Sequence, residues 1–152
     1  MDNIFDGFEY YGAWFKKMSI TFAGVCVDVD VRINGYDEEE IPAKGKSALI
    51  SFLDDIDKYL SVILEGVFEY YQNRRKELGY DIENNSEYPD FKEHDQILKT
   101  LQLIAITVPD QDDYCNRAIF LVFNCDWDKE NGVGVCLVGD TIEEVGFQDI
   151  AL

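Results

Sequence analysis

Met18-Ser19-Ile20-Thr21-Phe22-Ala23-Gly24-Val25-Cys26-Val27-Asp28-Val29-Asp30-Val31-Arg32-Ile33 decides how this chain folds. From Val25 to Ile33 every second residue is apolar, and Cys26, Asp28, Asp30 and Arg32 fill the places between. Side chains alternate across a strand, so this pattern predicts a strand with one buried face and one wet face. Met18, Ile20 and Phe22 alternate in the same way with Lys17, Ser19 and Thr21. Ala23-Gly24 is the expected turn of a hairpin, and Asn34-Gly35 ends its second strand.

Upstream, residues 1–15 carry Phe5, Phe8, Tyr10, Tyr11, Trp14 and Phe15, which predicts a segment covering an edge of the core. Downstream, a loop holds Asp37-Glu38-Glu39-Glu40 and Pro42. One long helix is then expected over about Ser47 to Leu78. Leu49, Phe52, Leu53, Ile56, Tyr59, Leu60, Ile63, Leu64, Val67, Phe68 and Tyr71 form a single stripe at helical period. Ser47 can cap its start, and Asp54, Asp55 and Asp57 suit the first half. Arg74, Arg75 and Lys76 suit its end, with Gly79 as the stop.

Residues 80–96 read as a polar, irregular surface excursion containing Asn84-Asn85-Ser86 and Pro89. Strands are expected at Thr100 to Val108, Ala118 to Phe123, Val133 to Val138 and Thr141 to Val145. The order β-β-α-β-β-β-β describes one α+β domain over residues 1–152. Its sheet is twisted and mainly antiparallel, with about six strands and one long helix across one face.

The chain has 152 residues, 31 acidic and 13 basic, for a net charge of −18. With 47% hydrophobic residues it has enough apolar side chains to build a core. Such a charge repels phosphates and anionic membrane surfaces and attracts cations. The expected partner is therefore a protein with a basic face, not nucleic acid and not a membrane. Met1-Asp2-Asn3-Ile4-Phe5-Asp6 has neither the basic start nor the apolar centre of a signal peptide. No apolar run approaches the roughly 20 residues needed to span a bilayer. The expected location is the cytoplasm.

Chemistry-bearing residues are few. Cys26, Cys115, Cys125 and Cys136 make no C-x-x-C pair, and His94 is the only histidine, so a zinc centre is not expected. No motif ties His94 to Cys115 or Cys125 as base and nucleophile. Gly45-Lys46-Ser47 looks like the end of a phosphate loop, but the earlier glycine of that pattern is replaced by Glu40. No cofactor is expected.

The segment Cys125-Asp126-Trp127-Asp128-Lys129-Glu130-Asn131-Gly132-Val133-Gly134-Val135 stands out. Asp126, Asp128 and Glu130 occupy alternate positions, as oxygen ligands do in a calcium loop. The calcium loop wants Gly at the place of Asn131 and Glu at the place of Leu137. A tight hairpin loop accounts for the same residues: Trp127 packs over an edge, Asn131 and Gly132 take positive φ, and the carboxylates cap free N–H groups. A loop facing a partner is the third option, with Trp127 as an aromatic anchor among acids.

Residues 123–135, followed by Glu144-Val145-Gly146, resemble a family of uncharacterised bacterial domains whose ending reads roughly C-x-W-D-x-E-H-G-x-G-V. The helix ending in Tyr70-Tyr71 looks similar too, and the resemblance spans residues 14–148. It implies, at most, an immunity or accessory protein of a bacterial toxin system. This chain carries Asn131 where that family tends to have His, which favours a structural role for the position. The expected function is a non-enzymatic, acidic, immunity-like protein that neutralises a basic toxin domain. Asp126, Trp127, Asp128, Glu130 and Asn131 are its candidate contacts. One alternative is a metal-dependent hydrolase or calcium-binding protein using Asp126, Asp128 and Glu130. A further alternative is a DNA-mimic inhibitor.

Overall fold

A computed structural model describes residues 3–36, 40–83 and 85–152. Asp37, Glu38, Glu39 and Asn84, parts of two expected loops, lie outside the described residues. Seven strands form one sheet in chain order: β1 (Glu9–Tyr10), β2 (Trp14–Phe22), β3 (Val25–Ile33), β4 (Leu101–Val108), β5 (Ala118–Cys125), β6 (Val133–Val138) and β7 (Thr141–Gly146). All neighbours are antiparallel except β3 and β4, which run parallel. A parallel pair needs a long crossover, and the helices between Ile33 and Leu101 provide it.

The α+β class and the hairpin arrangement agree with the sequence; two finer expectations are corrected. There are seven strands rather than six, because Glu9 and Tyr10 pair with Phe15 and Trp14 to add β1. The single long helix is two helices, α1 (Ala43–Asp54) and α2 (Ile56–Glu77), interrupted at Asp55, whose φ is −120° and ψ 26°. The Asp55 N–H donates to Phe52 O, closing α1 with a tighter turn. The apolar spacing crosses the break without slipping phase, so periodicity carries no sign of it. A third, short helix, α3 (His94–Leu98), stands inside the segment expected to be irregular.

The α1 start is also corrected. It begins at Ala43 after Pro42, with no side-chain cap, so Ser47 lies inside the helix and caps nothing. Gly45 is buried against β3: a Cβ there would sit 3.0 Å from Ile33. That glycine serves helix–strand packing.

Alternation sorts the sheet into two faces. Val29, Val31, Ile33, Leu103, Ile106, Leu121, Phe123, Val133 and Val135 meet Leu49, Phe52, Ile63, Val67 and Tyr71 of the helices in the main core. The opposite face holds a small second cluster of Ala118, Phe120, Val122 and Cys136. A 3₁₀ turn at Gln148–Ala151 contributes Ala151 to this cluster, with Ile150 packed against it.

Candidate functional site

The β5–β6 loop is built from buried parts upward. Leaving β5, the Asp126 N–H donates to Thr100 O (3.1 Å), which ties the loop to the start of β4. Trp127 turns inward and is 5% exposed. Its Nε1–H donates to Thr100 Oγ1 (3.1 Å), and its ring lies 4.9 Å from Tyr71 and 6.1 Å from Tyr70, centre to centre. Tyr88 closes the same aromatic cluster at 6.2 Å. Trp127 is therefore part of the core and offers a partner little surface.

The rest of the loop is a self-bonded turn. Asp128 Oδ1 accepts from the Asn131 N–H (3.1 Å), and Asp128 O accepts from the Gly132 N–H (2.9 Å). The expected carboxylate cap is thus Asp128. Gly132 has φ +59°, as expected, whereas Ala23 is the only described non-glycine with positive φ, so Asn131 does not share that conformation. Asp126, Lys129 and Glu130 are exposed. No three Asp, Glu, His or Cys side chains among the described residues are placed to hold a metal ion, so Asp126, Asp128 and Glu130 do not converge as a calcium loop would require.

The two glycines of the segment serve the chain's end. A Cβ on Gly134 would come 2.6 Å from Phe147 O, and one on Gly132 would collide with the Gln148 side chain. Gln148 fastens this contact: its N–H donates to Asn131 O (3.0 Å), and its Nε2 donates to Phe123 O (2.7 Å) and Asn124 Oδ1 (3.0 Å). The spacing of Trp127, Asp128, Gly132 and Gly134 thus encodes a packed corner where the loop, α2 and the C-terminal turn meet.

The chain belongs to DUF6985, a family of domains of unknown function, whose model matches residues 4–152. No curated protein and no solved structure matches it.

The thiols of this DUF6985 domain offer no activated nucleophile at the corner. Burial pushes Cys125 and Cys136 up to about 11, away from the thiolate that attacks. Burial likewise pushes the Tyr70 hydroxyl up to about 12 and raises that of Tyr71. His94 is exposed at the start of α3, its ring 4.9 Å from Phe68.

Open grooves remain among the described residues, two of them beside charged loops. One, of about 530 Å³, runs beside the loop between Glu87, Pro89, Asp126 and Lys129. The other, of about 510 Å³, lies at the carboxyl ends of the parallel pair β3 and β4, among Arg32, Asn34, Lys44, Asp110 and Asp112. Carboxyl ends of parallel strands are where α/β sheets place ligands. Arg32 Nε and Asn34 Oδ1 are buried there with no hydrogen-bond partner among the described residues. Sequence patterning missed this crevice, because Asn34-Gly35 reads only as a strand end and the β3–β4 pairing is non-local.

Proposed function

We propose that this DUF6985 domain is a non-enzymatic, immunity-like binding protein that neutralises a basic protein partner, a bacterial toxin domain, in the cytoplasm. The observation that carries this is the uncompensated charge. Ion pairs among the described residues engage only Asp30, Asp90, Asp112, Asp140 and Glu77. Seven of the thirteen cationic side chains are already spent on those five carboxylates. Lys16 Nζ is likewise turned inward, donating to Ile4 O and Asp6 O. Among the described residues, the remaining carboxylates face solvent largely without internal counter-charge, and a cationic partner can supply it.

The contact set follows the exposure of the loop. Asp126 and Glu130 reach solvent and can meet lysine or arginine directly; Asp128 and Asn131 hold the loop's shape; Trp127 supports it from below. No helix among the described residues is long and apolar enough to cross a membrane, which fits a protein acting in water.

The experiment is co-expression with the product of an adjacent gene that encodes a basic toxin-like domain, followed by purification at low salt. The expected result is a complex that dissociates as salt rises, with Asp126→Asn and Glu130→Gln weakening it together. Two separately eluting proteins at low salt would contradict the proposal.

A further inference from the structure

We propose that residues 85–91 form a strap over the Trp127 corner, latched by Arg75, which lifts as one unit while the sheet and the long helices stay intact.

The strap's backbone N–H groups hold nothing outside it. Among the described residues, Glu87 N–H donates to Asn85 Oδ1 (2.8 Å), Tyr88 N–H to Asn85 O (3.0 Å) and Phe91 N–H to Pro89 O (3.0 Å). The polar fastenings come from one stretch of α2. The Tyr71 hydroxyl donates to Pro89 O (2.7 Å), Gln72 Nε2 to Phe91 O (3.1 Å) and Arg75 Nε to Tyr88 O (3.0 Å). Lifting the strap breaks these side-chain bonds and no backbone bond of sheet or helix. Immediately downstream, Gln96 Oε1 accepts from the N–H groups of Lys92 (2.7 Å) and Glu93 (3.1 Å). That cap holds the start of α3 in place while the chain bends before Lys92.

Arg75 makes the motion two-state. Its side chain is 6% exposed, and Nη1 lies 3.3 Å from Asp90, its one carboxylate partner among the described residues. A half-raised strap leaves this cation buried with its bonds broken, which is costly. A fully raised strap gives it to water. Seated and lifted positions are thus favoured over those between.

Two aromatic rings lie beneath. With the strap seated, Tyr71 is 0% and Trp127 5% exposed, and Tyr88 and Phe91 of the strap pack against them. Pro89 and Phe91 also form one wall of the groove of about 530 Å³ whose other wall carries Asp126 and Lys129. One wall of that groove therefore moves, and its open form shows Trp127 beside Asp126. Lifting is a property of the chain alone and needs no partner.

The test is native-state hydrogen exchange of the full chain, read by NMR at the Tyr88 N–H, the Trp127 indole N–H and the Leu121 N–H of the central strand β5. The first two protons should exchange together, about tenfold or more faster than Leu121. Ile33→Val alters a buried residue opposite Val108, at the far end of β4 from the strap. It should speed Leu121 about two- to tenfold and leave the Tyr88 and Trp127 protons unchanged. Arg75→Met removes the latch and should speed those two by about tenfold or more. Tyr71→Phe keeps the ring, loses only the bond to Pro89 O, and should speed them by about threefold or more. Circular dichroism checks that each variant folds, and the milder Tyr71→Phe tests the latch even where Arg75→Met does not. Tyr88 and Trp127 protons that exchange at the Leu121 rate, and speed with it in Ile33→Val, would overturn the proposal. So would a Trp127 proton that exchanges apart from Tyr88, a Tyr88 N–H with no protection, or exchange indifferent to the latch variants.

Discussion

Replacing Trp127 separates a structural corner from a binding anchor. A fully buried tryptophan removes about 200 Å² from water, which at about 25 cal/mol/Å² amounts to about 5 kcal/mol as an upper figure. Measured truncations of such rings to alanine cost about 3–5 kcal/mol. With Trp127 5% exposed and in contact with Tyr70, Tyr71 and Tyr88, Trp127→Ala falls in that range. A domain of this size is stable by about 5–15 kcal/mol, so the variant loses a large share of its margin. Trp127→Phe keeps a ring and loses the bond from Nε1 to Thr100 Oγ1. Thr100 still donates to Ile97 O, so only its acceptor is left open, and the loss is about 1–2 kcal/mol. Urea unfolding followed by far-UV circular dichroism gives both numbers through the midpoint at constant slope. A change under about 0.5 kcal/mol for Trp127→Ala, the size typical of surface substitutions, would refute the assignment of this ring to the core.

Gly134→Ala drives a Cβ toward Phe147 O and should cost about 2 kcal/mol, with faster hydrogen exchange confined to the C-terminal turn at 147–152. Ala23→Asn creates Asn-Gly at a turn whose first residue has φ 52°, and should stabilise by about 1 kcal/mol, raising Tm by about 2–4 °C in a thermal melt. The Tyr70 hydroxyl is pushed from 10.0 up to about 12 by burial. Its contribution to stability is complete below pH 10 and lost as pH rises through 12; absorbance at 295 nm should show tyrosine ionisation delayed in the folded protein and released by urea. In the native state a thiol reagent at neutral pH should modify Cys26 and Cys115 quickly, whereas the buried, raised thiols of Cys125 and Cys136 react only on unfolding.

Local patterns were legible wherever one strand turns directly into the next. The 2–3 hairpin announces itself by alternation and the 5–6 and 6–7 hairpins by apolar runs and turn residues, and Ala23-Gly24 sits where the pattern places it. The helix break at Asp55 was not legible, because Ile56 and Tyr59 continue the stripe set by Leu49 and Phe52. Nor was β1, two residues long and defined only by its pairing with Trp14 and Phe15. At the 125–135 segment the residue types were visible but not their direction. A tryptophan between two aspartates suits an exposed anchor as well as a buried plug, and only the positions of Tyr71, Tyr88 and Thr100, far away in sequence, decide between them. Gly132 and Gly134 likewise gain their meaning from Phe147 and Gln148, which nothing local connects to them.

Electrostatic attraction by uncompensated carboxylates is most directly tested by the association rate with the basic partner as salt is raised from about 0.02 to 0.5 M, where the screening length shrinks severalfold. The steered encounter proposed here requires that rate to fall by about tenfold or more while the dissociation rate changes little. An association rate that stays flat across that range would contradict it.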